Sequence, residues 1–249
     1  MKVKVIQADT RKMFLYLESK PLVYTPINDI NFQLVSEYND GLIFPNDGNS
    51  LCMSVNMVKS KMLGFLYEFI QGNPNDWQEE GKKSHTWIKI KSLLEQFADP
   101  KLTDYDLFLF IDSDAWIRDE EALLNFCTEF LNSSCHLAVP RDIELYNSSY
   151  FNSGFIAVKN TSAGKHILET IYSHPDYRTH DMAIWHEQSE LDTYHTNHPG
   201  EILVLPLNDF NTPCGRIVRH CWIKHMVEPF ILQEIVALFS KIAIQSLSN

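Results

Sequence analysis

An α/β fold, with a mixed, mostly parallel central sheet and helices on both faces, is predicted by three features of this 249-residue chain. Short apolar runs alternate with longer segments of helical period, which is the signature of strands covered by helices. The run Leu107 to Ile111 is apolar at every position, the pattern of a strand buried on both faces. Two carboxylates, Asp112 and Asp114, then break that run before it resumes at Ala115. Ligands of α/β sheets collect at the carboxyl ends of the strands, where this pair falls.

The elements follow in order. Val3 to Gln7 reads as the first strand, ending at Ala8-Asp9-Thr10. Pro21 to Asn49 is rich in Pro, Gly, Asn and Asp and reads as loop, with a short strand over Phe32 to Ser36. Ser54 to Met62 reads as a helix closed by Gly64, and Leu66 to Ile70 as the next strand. Gln71 to Ser84 is a polar loop, and His85 to Phe97 a helix with Ile88, Leu93, Leu94 and Phe97 on its apolar stripe. After the strand ending at Ile111, Asp119 caps a helix over Glu120 to Leu131, and Leu137 to Val139 forms a short strand. Tyr150 to Val158 reads as a strand interrupted by Asn152-Ser-Gly154, and Ser162 to Tyr172 as a helix. A helix is expected within Asp181 to Asp192, and Ile202 to Leu205 is a strand ending at Pro206. From Pro229 to Leu247 the chain has an apolar helical face made of Phe230, Ile231, Ile235, Leu238, Phe239 and Ile242. That face is expected to pack on the body, with contact to a membrane surface or second subunit as the alternative. The expected organisation is therefore one domain over residues 1–228 and a docked helix over 229–249.

Hydrophobic residues make up 45% of the chain and aromatic residues 12%, which excludes general disorder. The formal net charge is -11 and no Lys/Arg block stands out, so nucleic acid is excluded as the main partner. No run approaches the length of a transmembrane helix, and the start lacks the apolar stretch of a signal peptide. Five cysteines without metal-ribbon spacing fit a reducing compartment, with one or two disulfides left open. The Asn-x-Ser/Thr sites at Asn132, Asn147 and Asn160 are no more than chance provides, so a cytoplasmic, soluble protein is expected.

The chemistry centres on Asp112 and Asp114. Asp-Ser-Asp could be a turn that caps the next helix, but Asp119 already supplies that cap, which makes the earlier pair redundant for it. Two buried carboxylates without a partner would cost several kcal/mol, and a divalent cation meets that cost. Asn152-Ser-Gly154 marks a close backbone approach, and Glu187-Gln188 stands at a candidate helix start. His220 and His225 flank Trp222 and Lys224. Two aspartates and an imidazole make an oxygen/nitrogen set suited to Mn²⁺ or Mg²⁺. A cation held there would bridge the phosphates of a nucleotide, with Lys224 adding positive charge.

These residues resemble the GT-A glycosyltransferases, and most closely the retaining galactosyl, xylosyl and mannosyl transferases of family GT34. The resemblance covers Ser54 to Lys224. It rests above all on Ile111-Asp112-Ser-Asp114-Ala115-Trp-Ile117, with Asn56 through Gly64-Phe65, the pair Trp87 and Lys89, Asn152-Ser-Gly154-Phe-Ile, Glu187-Gln188, His220 and Lys224. It implies that Asp114 is the principal metal ligand, that Asp112 touches the donor ribose or the metal, and that His220 completes the metal site. It also implies a nucleotide-sugar donor, of the UDP type, and a glycan acceptor. Ala8, Asp9 and Ser113 would lie on the base and ribose side. Lys89, Asn152, Gly154, Gln188 and Lys224 would serve the donor, and Glu187 would lie beside the anomeric carbon. The chain departs from the family in carrying Glu rather than Asp at 187, in Cys221-Trp222-Ile223 after the late histidine, and in lacking an anchor and stem.

An inverting enzyme would need a general base, for which Glu187 or Asp181 is available, whereas the resemblance tips toward retention. Two rival readings stay open on the sequence. One is a nucleotidyltransferase or metal-dependent phosphohydrolase, which also places carboxylates after a buried strand. The other is a carbohydrate- or protein-binding module on a transferase fold, without catalysis.

Overall fold

The computed structural model describes residues 1–9, 48–72, 85–142, 150–173 and 186–221, together with Ile231, Glu234, Ile235, Ala237 and Leu238. The expected strand Phe32 to Ser36, and Asp181, Lys224 and His225, lie outside the described residues. So do most of the loop Gln71 to Ser84 and most of the tail.

Among the described residues six strands form the main sheet: β1 (Val3–Asp9), β2 (Leu66–Gln71), β3 (Leu107–Ile111), β5 (Leu137–Pro140), β6 (Phe155–Lys159) and β7 (Ile202–Leu205), in the order β2-β1-β3-β6-β5-β7. β1 runs parallel to both β2 and β3, and β5 parallel to β7, while β6 is antiparallel to its neighbours β3 and β5. A second, two-stranded ribbon pairs β4 (Ala115–Ile117) with β8 (Val218–His220), antiparallel. The helices are α1 (Gly48–Met62), α2 (Ile88–Ala98), α3 (Glu120–Asn132), α4 (Ser162–Ser173), α5 (His186–Asn197) and the single turn α6 (Leu207–Phe210).

The apolar sequence of β3 divides by period two. Phe108 and Phe110 join Ile6 and Ala8 in a layer with Ile90 and Leu93 of α2, Ile167 and Leu168 of α4 and Leu191 of α5. Leu107, Leu109 and Ile111 join Val3 and Val5 on the opposite face, against Leu123, Phe126 and Phe130 of α3. β3 is thus covered on both faces and paired on both edges, and the chain leaves it at the centre of the sheet. That geometry delivers Asp112 and Asp114 to the carboxyl edge of β1 and β3.

Several boundaries differ from the sequence expectation. The apolar residues after Asp114 do not continue β3: a turn closed by Ala115 N–H donating to Asp112 O (3.0 Å) redirects them into the ribbon. Asn56 of α1 secures that ribbon, its Nδ2 donating to Ala115 O (2.9 Å) and its Oδ1 accepting from Ile117 N–H (2.7 Å). A buried asparagine here does the work of another strand at the edge of β4. α1 starts at Gly48 rather than Ser54, because Cys52 and Met53 are already buried. The first turn of the helix predicted from His85 is a 3₁₀ turn, His85–Trp87, before α2 begins. The strand predicted from Tyr150 is confined to Phe155–Lys159, with Phe151 joined by one bridge to Arg141 and Asn152-Ser-Gly154 forming a turn between them. α5, described over His186–Asn197, runs past the predicted end at Asp192. None of the five cysteines is joined in a disulfide. Among the described residues no helix is long and apolar enough to cross a membrane.

Ile231 and Leu238 of the C-terminal helical segment are buried with Cys52, Val55, Trp116 and Cys221, and Ile235 packs beside them. The apolar face seen in the tail sequence therefore packs on α1 and the ribbon at these positions.

Candidate active site

Asp112, Asp114 and His220 each offer one ligand atom, and the three atoms lie within 4.8 Å of one another. The ribbon makes this convergence. Ala115 stands opposite His220 in register, and Cys221 N–H donates to Asp114 O (3.1 Å), so Asp114 and His220 sit at one end of the same ladder. His220 Nε2 is 3.2 Å from Asp114 Oδ1 and 3.8 Å from Asp112 Oδ2.

The backbone around Asp112 is pinned from two sides. Asp112 N–H donates to Gly154 O (2.8 Å), and the Nε2 amide of buried Gln7 donates to Asp112 O (2.9 Å). Gly154 is required by contact rather than by its torsion: a Cβ there would fall inside the imidazole of His220. The Asn152 Oδ1 accepts from Gly154 N–H (2.9 Å) and shapes this turn.

The other ring nitrogen of His220, Nδ1, lies 2.8 Å from Oδ1 of fully buried Asn211. The amide orientation of Asn211 follows from its Nδ2, which donates to Arg141 O (3.2 Å) and approaches Asp142 Oδ1 (3.4 Å). Asn211 Oδ1 therefore accepts from His220 Nδ1–H, which turns Nε2 to the carboxylates, where release of its proton would offer a cation a lone pair. Removing this partner typically weakens metal binding about 10- to 100-fold. Asn211→Ala is expected to weaken Mn²⁺ binding by about that factor, measured by calorimetric titration, with Asn211→Asp retaining more of it because an acceptor remains.

Behind the carboxylates lies a second polar layer. Lys89 Nζ, from the first turn of α2, donates to Asp112 Oδ2 (2.9 Å) and Ser153 Oγ (2.9 Å) and lies 3.4 Å from Glu187 Oε1. Ser153 Oγ in turn donates to Glu187 Oε1 (2.7 Å). Gln188 Nε2 donates to Phe151 O (2.8 Å), holding the start of α5 against the turn before β6. His186, at that start, has a φ of 40°, a left-handed conformation rare for a residue other than glycine. Strain of this kind persists where surrounding contacts over-determine the backbone, as the Glu187 and Gln188 hydrogen bonds do here.

Charge is finely balanced. Burial pushes the Asp112 carboxyl above its ordinary value, with Lys89 opposing and Asp114 adding to the rise. Burial acts the same way on Asp114, but the His220 imidazole outweighs it and holds Asp114 below the usual carboxylate range. Burial works against protonation of His220, and Asp114 and Asp112 together overcome it and raise that imidazole. Glu187 is deeply buried, yet Lys89 and hydrogen bonds from Thr86 and Ser153 keep it below its ordinary value, hence ionised. Lys89 is raised: burial alone would lower it, but Asp112 and Glu187 prevail.

Lys89 is the counter-ion of two carboxylates. Taking one partner out of a buried pair costs about 3–5 kcal/mol, because the remaining charge has no compensation. Lys89→Ala is accordingly expected to lower stability by about 3 kcal/mol in urea denaturation, toward the low end of that range because Asp112 keeps some solvent contact.

The remaining residues singled out in the sequence lie nearby or outside. Asp9 Oδ2 accepts from Ser113 Oγ (2.6 Å), joining the end of β1 to the turn between the aspartates. The Ala8 methyl is buried in the apolar layer beside them. Asp181 and Lys224 are outside the described residues. Sequence reasoning missed Ser153, Gln7 and Asn211. Ser153 carried a signal, since it lies inside the turn already marked by Asn152 and Gly154. Asn211 carried none: it sits after a one-turn helix in a segment without period.

A cluster of two aspartates and a histidine at the carboxyl edge of a mixed α/β sheet is able to coordinate a divalent cation. No protein-family model matches the chain, and no curated protein matches it by sequence. Solved structures do. A glycosyltransferase involved in the glycosylation of the major capsid of PBCV-1 superposes with a TM-score of 0.60 at 11% identity, over 94% of this chain and 100% of that one. The glycosyltransferase GlyE of Streptococcus pneumoniae TIGR4 gives 0.49 at 12% identity, over 98% of this chain and 64% of that one. The galactosyltransferase LgtC, solved with donor and acceptor sugar analogs, gives 0.48 at 12% identity, over 92% and 95%. The first of these likenesses is to a glycosyltransferase and, at such low identity, shows the fold: a central mixed sheet flanked by helices, of the GT-A-like kind.

Proposed function

We propose that this protein is a metal-dependent glycosyltransferase that moves a sugar from a nucleotide diphosphate sugar, of the UDP type, to a hydroxyl of a glycan acceptor. The observation that carries the reading is the convergence of Asp112, Asp114 and His220 at the edge of β1 and β3, in a fold shared with a glycosyltransferase. The donor set is oxygen and nitrogen, with the imidazole Nε2 turned to the carboxylates by Asn211, which fits Mn²⁺ or Mg²⁺. Bound there, the cation would neutralise the negative charge that develops on the departing diphosphate.

The residues divide the remaining work. Asp114 and His220 hold the cation, and Asp112 holds it or the donor ribose. Ala8, Asp9 and Ser113 line the base and ribose side, an arrangement supported by the Ser113–Asp9 hydrogen bond. Lys89 stands between the phosphate-side carboxylate and Glu187, and fixes both. Asn152, Gly154 and Gln188 shape the pocket on the sugar side, with Lys224 contributing positive charge.

As the bond from the anomeric carbon to the diphosphate oxygen breaks, the acceptor hydroxyl oxygen bonds to the same carbon and its proton passes to the departing diphosphate oxygen. Glu187, kept ionised by Lys89, Thr86 and Ser153, stabilises the positive charge on that carbon. Retention, toward which the residue pattern tips, needs no general base, whereas inversion would need one, for which Glu187 or Asp181 is available. Membership of GT34 rests on the residue pattern alone. The division expected from the sequence, a transferase domain over residues 1–228 and a helix over 229–249, belongs to this proposal.

Calorimetric titration of UDP tests the donor-site part of this reading. UDP is expected to bind at least about ten-fold more tightly in Mn²⁺ than in EDTA, since the cation joins its phosphates to the carboxylates. Equal affinity in both would remove the metal from the donor site.

A further inference from the structure

The ribbon that carries Asp114 and His220 has two faces, and they are held by different parts of the chain. Ala115, Ile117 and Val218 lie in the layer under the main sheet. Trp116 lies on the other face, with Cys52 and Val55 of α1 and with Ile231 and Leu238 of the C-terminal helical segment. Arg219 stands opposite Trp116 in the ladder. Ile231, Glu234 and Leu238 recur at helical spacing and share one face, so Glu234 carries a carboxylate into this buried surface. Three cations meet it. Arg118 Nε, just past β4, lies 3.0 Å from Glu234 Oε1, and one terminal guanidinium nitrogen of Arg219, in β8, lies 3.0 Å from the same oxygen. Lys59 Nζ of α1 lies 3.6 Å from Oε2 and donates to Arg118 O (3.0 Å).

One carboxylate therefore ties together both strands of the ribbon. Arg219 adjoins the ligand His220, and Arg118 follows the strand that begins directly after Asp114. Replacing a buried cluster of paired charges by apolar residues of similar volume is often neutral or stabilising, so a glutamate at 234 points to a task other than adhesion.

We propose that Glu234 is a positioning residue for the cation site: it fixes the register of β4 against β8 and thereby the separation of Asp114 from His220. The proposal rests on the reading of Asp112, Asp114 and His220 as a cation site. It assigns the C-terminal helix a part in the chemistry, acting through the ribbon.

The test is Mn²⁺ titration of the full chain, followed by the EPR signal of free Mn²⁺, with folding checked by circular dichroism and thermal melting. Four variants are compared: Glu234→Ala, Glu234→Gln, Leu238→Ala and Asp114→Ala. Glu234→Ala is expected to weaken Mn²⁺ about ten-fold, as loss of supporting groups around metal ligands typically does. Glu234→Gln should fall between it and wild type. Leu238→Ala loosens the same helix without touching the carboxylate, and should lower the melting temperature while leaving Mn²⁺ affinity within about two-fold of wild type. Wild-type affinity in both Glu234 variants overturns the proposal. An equal loss in Leu238→Ala also overturns it, because general docking would then explain the effect, as does failure of both Glu234 variants to fold. Asp114→Ala separates the two levels of the argument. If it binds Mn²⁺ like wild type, or wild type binds none, the cation-site reading fails before Glu234 is at issue.

Discussion

Asp114→Ala is expected to abolish metal-dependent turnover, lowering donor cleavage by at least about 10³-fold, on the scale of losing a principal charge-stabilising group. Asp114 is the carboxylate that the His220 imidazole approaches at 3.2 Å, and its backbone oxygen receives Cys221 N–H, so the side chain is aimed into the cluster by the ribbon itself. The substitution leaves that backbone hydrogen bond intact. Folding should therefore survive, and the loss should appear in activity and in Mn²⁺ titration with little change in the melting curve. A neighbouring substitution, Asp114→Asn, keeps the shape and removes the charge, and should fall almost as far.

Gly154→Ala is expected to have the second-largest effect. A Cβ at 154 would overlap His220 on three ring atoms, and the ring has little room to yield, since Asn211 holds Nδ1 at 2.8 Å. The backbone at 154 is equally constrained, because its carbonyl accepts from Asp112 N–H at 2.8 Å. Relief requires a shift of His220, of the β6 turn or of Asp112, and each disturbs the candidate cation cluster. Overpacking of this kind costs about 1–3 kcal/mol in stability. Mn²⁺ affinity should fall by about 10- to 100-fold, the range seen when metal ligands lose their support. Calorimetric titration beside a urea melt measures both. A loss in the melt without a loss in Mn²⁺ affinity would show that the ring moves without leaving the cluster.

The parts of this molecule that were legible in the sequence are those in which one physical rule dominates a stretch of residues. Uniform burial wrote β3 as an unbroken apolar run, and the two aspartates after it stood out because nothing local required them. Helices with a clear stripe were placed well: α4 was off by one residue at its end, and α2 ended within one residue of expectation although its first turn proved to be 3₁₀. The resemblance to GT-A glycosyltransferases pointed to the carboxyl edge of the sheet where the structure gathers Asp112, Asp114, His220, Lys89 and Glu187.

What escaped was set by tertiary contact. β8 has three residues, too few for any period to register, and it exists because β4 lies on one side and Thr212 on the other. The turn after Asp112 could not be told from a continuing strand, since Ala115, Trp116 and Ile117 are as apolar as β3. Gly154 read as a site of close approach, but the group that approaches is a histidine far along the chain. Asn211, Gln7 and Asn56 act through single hydrogen bonds to distant backbone or ring atoms, and a single polar residue in a mixed segment carries no such address. Glu234 sat in a tail whose apolar stripe was clear, while its cationic partners come from three separate elements.

The most direct test of the central claim is release of nucleoside diphosphate from a panel of nucleotide sugars, in Mn²⁺ and in EDTA, by wild type and Asp114→Ala. The account predicts release from one donor, of the UDP type, that requires Mn²⁺ and disappears in Asp114→Ala. Release that persists in EDTA or in the variant, or no release from any donor together with no UDP binding, would contradict it.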